Sequence, residues 1–221
     1  MSNGEKLTLD LRDVGRMAYG PALELQHELV QKRIEEKIPD TLILVEHPPV
    51  ITLGRKAPDS DVLVPIETLH AAGAEIHRVT RGGEATYHGP GQIVGYTIIN
   101  LYQHQRKLRL FIERMEEVFI QLLDRHYGIS AHRDPEHRGV WVGNEKIAAI
   151  GIAVTRGITM HGFAFNVAPD LSHFGWIIPC GIRDRGVTSL SRLTASAPDI
   201  DIVKGQVVDA FCEVYGYTLV P

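Results

Sequence analysis

Cysteine is scarce in this sequence: Cys180 and Cys212 are the whole complement of its 221 residues. So small a supply excludes a disulfide framework and suits a reducing compartment, so a cytoplasmic location is expected. Long apolar runs are missing too. Nothing approaches the roughly 18 residues that a spanning helix needs, and the opening MSNGEKLTLD has no apolar signal core, so no membrane association is expected. A charge excess of one sign is also absent. The 23 Lys and Arg against 27 Asp and Glu leave a net −4, without the basic surplus of a nucleic-acid binder. Arg106, Lys107 and Arg109 form one small basic cluster, which reads as a solvated helix start.

Several signatures are missing in turn. There is no H-E-x-x-H and no paired C-x-x-C, and His132 and His137 around RDPE read as a surface loop, so no metal is expected. No G-x-S-x-G occurs, which removes a serine-hydrolase elbow. GPGQIVG has the wrong glycine spacing for a dinucleotide fingerprint, and a strand-like run follows it instead of a helix. GIRDRGVT lacks the lysine of a phosphate loop.

What is present suits a soluble globular chain. The hydrophobic share of 44% is ordinary, and 221 residues are enough for one cored domain spanning 1–221. Leu7, Leu9 and Leu11 alternate as in a strand. Pro21 reads as opening a helix with a stripe at Leu25, Leu29 and Ile34, ending before Pro39. TLILVEH, VITLG, EIHRVT, IVGYTIINL and MHGFAFNV read as strands, with a short helix PIETLHAAG after the second. Leu108, Phe111, Met115, Val118, Phe119, Leu122 and Leu123 form the clearest amphipathic helix. GVWVGNEKIAAIGIAV reads as a hairpin turning at Gly143-Asn144. A last helix near Asp199 carries Ile202, Val207, Val208, Phe211 and Val214. Many closely spaced strands beside few helices predict an α+β fold: a mixed, largely antiparallel sheet packed with helices.

Three features carry chemistry. The segment from Arg81 to Gln92, RGGEATYHGPGQ, holds four glycines among polar residues and reads as a functional loop between two strands. Cys180 lies between Pro179 and Gly181, outside any helical or strand pattern, where a thiolate has access; a buried, inert thiol is the competing reading. Cys212 falls on the apolar side of the last helix and fits the inert reading. Lys146 opens KIAAIGIAV, and a regular strand gives it the face of Ala148, Ile150 and Ile152. Desolvation there favours the neutral amine, a base; a lysine snorkelling from a strand edge is the alternative.

RGGEATYHGPGQ, GNEKIAAIGI, HGFAFNV and IPCGIRDRGVTSL, in this order, together with EHPPVITLGR at Glu46–Arg55, resemble the lipoyl(octanoyl) transferase family. The resemblance runs from about Leu7 to Phe211. It implies a catalytic domain folded like the biotin and lipoate protein ligases. It also implies Cys180 as the acyl-thioester nucleophile and Lys146 as the acid/base that lowers its pKa. Three acyl-binding segments carry over. The first runs Arg81, Gly82, Gly83, Glu84, Ala85, Thr86, Tyr87 and His88; the second is Ala149, Ile150 and Gly151; the third is Gly162, Phe163 and Ala164. His47, His88 and His161 are further polar residues inside matching motifs, with His88 the first candidate for orienting substrate or Lys146.

The implied activity is transfer of an octanoyl or lipoyl group from acyl-carrier protein to a lysine of lipoyl domains. Acceptors would be the lipoyl domains of 2-oxoacid dehydrogenases and the glycine cleavage H protein. No cofactor is implied, because the acyl group arrives activated. Two other readings stand beside it: an ATP-dependent lipoate or octanoate ligase of the same fold, needing no cysteine, and a non-catalytic lipoyl-domain or fatty-acid binding module.

Overall fold

The computed structural model describes residues 7–178, 185–194, 196 and 198–220. Its strands are β1 Leu7–Arg16, β2 Asp40–Glu46, β3 Val50–Leu53, β4 Glu75–Arg78, β5 Ala85–His88 and β6 Gln92–Ile98, then β7 His132–Arg133, β8 Val140–Val142, β9 Glu145–Thr155, β10 Ile158–Asn166, β11 Gly186–Val187 and β12 Tyr217–Leu219. Its α-helices are α1 Tyr19–Ile34, α2 Ile66–Ala71, α3 Leu108–Tyr127, α4 Leu190–Leu193 and α5 Ile200–Tyr215. Among the described residues the main sheet has nine strands, in the order β12-β1-β2-β6-β10-β9-β8-β7, with β11 alongside β9. The pairs β12/β1, β1/β2 and β9/β11 are parallel and the rest antiparallel, so the sheet is mixed as the patterning predicts. A second sheet, β4-β3-β5, stands apart from it.

The run TLILVEH is continuously apolar because β2 is covered on both faces. Leu42 and Leu44 join α3 and α5 in one core, while Ile43 and Val45 join α1 in the other. The predicted stripe of α3 is that first core's centre, with Phe111, Met115, Val118, Phe119, Leu122 and Leu123 all buried. Gly128 ends α3 in the left-handed region at φ 61, which glycine adopts without penalty. Asp199 starts α5 by accepting the Asp201 N–H at 2.8 Å.

Two expectations are corrected, in α5 and in the glycine-rich segment; that for α1 holds, with Pro21 in its first turn and Leu25, Leu29 and Ile34 packed against the second core beside the buried Gln26 and Arg33. Arg33 is taken up by the buried carboxylate of Asp40 at 2.8 Å. In α5, Ile202 is 62% exposed and Val203 takes the core position, because α5 packs through Val203, Val207 and Phe211. The glycine-rich segment is not one loop: its centre, Ala85–His88, is a strand paired antiparallel with β3.

Candidate active site

One cavity of about 450 Å³ opens beside β9, β10 and the second sheet. Arg81, Gly82, Gly83, Glu84, Thr86 and His88 line it, but Ala85 and Tyr87 do not. The reason is strand geometry. Successive residues of β5 point to opposite faces, so Ala85 and Tyr87 enter the core of the small sheet, where the Tyr87 hydroxyl meets His173 Nδ1 at 2.8 Å. Ala149, Ile150, Gly151, Gly162, Phe163 and Ala164 all line the cavity, so the three expected segments are brought together.

The first segment is fixed from two sides. Gly82 N–H donates to the Ile152 carbonyl of β9 at 3.2 Å, and Gly54 N–H donates to Glu84 O at 3.1 Å. Gly83 takes φ 85, and a Cβ on Gly54 would lie 2.3 Å from Gly83 O, so glycine is required where the two chains touch. The buried Arg81 guanidinium donates to Thr52 O at 2.7 Å, to Thr52 Oγ1 at 2.9 Å and to Gly82 O at 3.1 Å.

Lys146 is 7% exposed and lies on the cavity wall. Its strand position is held on both sides, by Trp141 of β8 and Val187 of β11. The Lys146 Nζ stands 4.9 Å from the centroid of the buried Trp141 ring, which Arg185 approaches at 5.1 Å. Its neighbours differ from those a regular strand gives. Val140 pairs with Ala148 while Trp141 pairs with Lys146, so Ile147 is an extra, bulged residue. A bulge shifts the alternation by one. Ile147 and Ala148 therefore enter the main core, and Lys146 shares cavity walls with Ala149.

A chain of amides leads from the cavity to the strand beside Lys146. Gln92 Nε2 donates to Asn166 Oδ1 at 2.9 Å and to Tyr87 O at 3.2 Å, and Asn166 Nδ2 donates to Thr188 O at 2.9 Å. The Thr188 N–H donates in turn to Lys146 O at 3.0 Å. With both Gln92 N–H groups given away, its Oε1 accepts from His88 Nδ1 at 3.0 Å. This sets the His88 tautomer. Burial, with His47 and Arg81 nearby, pushes His88 down to about 3, so it is a neutral ring at neutral pH. Burial and Arg81 push His161 down to about 4. Both line the cavity, whereas His47 is spent on structure: Nδ1 donates to Met17 O and Nε2 accepts from the Tyr96 hydroxyl, each at 2.7 Å.

Cys180, the expected nucleophile, lies outside the described residues. On one flank Ile178 N–H donates to Asp61 O at 2.8 Å, and on the other Arg185 pairs with Asp134. Cys212 packs half-buried against the main core, and burial raises its thiol pKa, as expected of an inert cysteine. The sequence reading missed Thr52, Trp141, Gln92 and Asn166. None matches a recognisable motif, because each acts by supporting another residue of the site: Thr52 holds Arg81, Trp141 faces Lys146, and Gln92 joins His88 to Asn166. Among the described residues no three His, Cys, Asp or Glu groups cluster to hold a metal, and no helix is long and apolar enough to cross a membrane.

Residues 18–212 match the family model described as the lipoyl protein ligase A/B catalytic domain. An octanoyltransferase of Caldicellulosiruptor bescii is 50% identical over 207 residues, covering 93% of this chain and 91% of that one. An octanoyltransferase of Alkaliphilus metalliredigens is 47% identical over 212 residues, covering 96% and 97%. Among solved structures, a lipoate-protein ligase A bound with ATP superposes with TM-score 0.72 at 16% identity, covering 98% of this chain and 90% of that one. The biotin protein ligase of Aquifex aeolicus in complex with biotin and ATP gives TM-score 0.54 at 15% identity, covering 94% and 70%. At these identities the two structures speak for the fold alone.

Proposed function

Since the chain belongs to the lipoyl protein ligase A/B catalytic-domain family, in its octanoyltransferase branch, we propose that it moves an octanoyl group from octanoyl-acyl-carrier protein to a lysine of a lipoyl domain. The observation that carries this reading is a buried lysine, Lys146, on the wall of a cavity that is also lined by residues of Arg81–His88, Ala149–Gly151 and Gly162–Ala164.

The reaction proceeds in two halves. The Cys180 thiol gives its proton to Lys146, and the thiolate attacks the carbonyl carbon of the donor thioester. A C–S bond forms to Cys180, the C–S bond to the carrier's arm breaks, and Lys146 returns the proton to the leaving thiolate. In the second half the ε-amine of the acceptor lysine attacks the acyl-enzyme. An amide bond forms, Cys180 leaves as thiolate, and Lys146 carries the amine's proton back to it. The acyl group is already activated as a thioester, so no ATP is consumed. The glycine segment and the paired small residues of β9 and β10 accommodate the alkyl chain. The neutral His88 presents an uncharged ring to it. Acceptors are the lipoyl domains of 2-oxoacid dehydrogenases and the glycine cleavage H protein.

Intact-protein mass spectrometry after mixing with octanoyl-carrier protein, without ATP, tests this. A hydroxylamine-labile octanoyl adduct is expected on the wild type and absent from Cys180→Ala. Full transfer by Cys180→Ala would overturn the covalent route. A requirement for ATP would move the chain to the ligase reaction, and reversible octanoate binding with no adduct would make it a binding module. Lys146→Met is expected to slow adduct formation by about 10²–10⁴-fold, the usual share of a positioned acid/base.

A further inference from the structure

His161 is used by neither half of that reaction, and its surroundings are unusual. It lies in β10 with φ 60, a left-handed conformation that non-glycine residues rarely take. Its backbone N–H donates to Gln26 Oε1 of α1 at 3.0 Å. Its ring is 2% exposed, and Nε2 makes no hydrogen bond among the described residues. It lines the same cavity as Lys146.

The register of β9 and β10 places it along that cavity. Ala149 stands opposite Ala164, Gly151 opposite Gly162, and Ile152 opposite His161. Small residues therefore face the channel at the first two pairs; one residue on, the left-handed backbone at His161 breaks the strand's alternation, and its ring lines the same cavity, 6.4 Å from the Tyr96 ring. Three residues of strand, from Ala149 to Ile152, span about 10 Å. An eight-carbon acyl chain in zigzag has seven C–C bonds of about 1.5 Å and reaches about 9 Å. With its carbonyl beside Lys146 and Ala149, such a chain puts its methyl end at His161.

We propose that His161 is the end-stop of the acyl channel, setting the preference for medium-length chains. This rests on the acyl-transfer reading above. The stop is steric. A longer chain meets the buried ring itself, on a backbone held by the Gln26 contact. Forcing further methylenes against a packed ring is unfavourable enough to slow the longer substrate about tenfold or more. The ring is neutral at neutral pH, so a medium chain can end against it without facing a buried charge.

The test is the rate of adduct formation with octanoyl-, decanoyl- and dodecanoyl-pantetheine, expressed as the dodecanoyl-to-octanoyl ratio. The ratio does not depend on how much protein is folded. In the wild type it is expected to be about 0.1 or less. His161→Gly removes the ring at a φ glycine accepts freely. It is expected to raise the ratio at least about fivefold while octanoyl still reacts. His161→Asn, also tolerant of this φ, keeps a shorter polar group and is expected to admit decanoyl but not dodecanoyl. Calorimetric binding of octanoate, decanoate and dodecanoate to the wild type and to both variants should follow the same order. A ratio near one in the wild type, or one that neither variant changes, overturns the end-stop while leaving acyl transfer intact. No adduct with any donor would instead overturn acyl transfer, and the end-stop with it.

Discussion

Replacing Gly139 with alanine tests whether the bulge in β9 aims Lys146. Gly139 sits at φ 122, where L side chains are strained. An added Cβ would lie 2.5 Å from the Ala148 carbonyl oxygen and 3.4 Å from Lys146 Cδ and Cε. The backbone cannot simply retreat. Gly139 N–H donates to the buried Glu116 Oε1 at 3.1 Å, and the next residue, Val140, is paired with Ala148. Strain at such a φ costs about 1–3 kcal/mol. Pulling the N–H off a buried carboxylate costs about 1–3 kcal/mol more. Together these give about 2–6 kcal/mol; for a chain of this size each kcal/mol lowers Tm by about 2–4 °C, so the expected drop is about 4–24 °C. Differential scanning calorimetry reads it directly. The second readout is the octanoyl-adduct rate at 25 °C, where the variant is still folded. It should fall at least about tenfold, since displacing a reacting group by about an ångström has that effect. A Tm within about 2 °C of the wild type, together with an unchanged adduct rate, would refute the reasoning.

Other perturbations have equally definite outcomes. His88 and His161 are pushed down to about 3 and about 4, against an unfolded value near 6.5. As pH falls below about 6.5 the unfolded chain takes up protons that the folded one refuses, so stability is lost toward pH 4 for His161 and on toward pH 3 for His88. Tm against pH should show this slope, and ring protons titrating near 6.5 in NMR spectra would contradict it. Asp40→Asn leaves Arg33 buried without its carboxylate partner, which should cost about 3–5 kcal/mol in urea unfolding; an unchanged midpoint would contradict it. Arg81→Lys keeps the charge but cannot reach Thr52 O, Thr52 Oγ1 and Gly82 O together. It should raise KM for the octanoyl thioester about tenfold with a smaller change in kcat, and an unaltered KM would refute that role for the arginine.

Much of the frame was legible because it is written in local periodicity. The seven-residue stripe of α3 packs as spaced, with Leu108 at its half-buried start. Gly143 turns the β8–β9 hairpin at φ 56, and Cys212 faces the core. The ordered motifs were enough to indicate the family. The site's geometry was legible only in outline, since it depends on how segments pair and in what register. Ala85–His88 becomes a strand only because β3 is there to pair with it, and that pairing sends Thr86 and His88 to the cavity and Ala85 and Tyr87 away from it. Gln26 is buried where its Oε1 accepts the His161 N–H, and Arg33 where Asp40 accepts from its guanidinium. Lys146 leaves the row of Ala148 because Ile147 bulges against β8, and one residue of slip exchanges the two faces of a strand. By itself the sequence determined which side chains the protein has for its chemistry and in what order they come. Tertiary structure decided which of them meet, because strand pairing and register are set between segments and not within them.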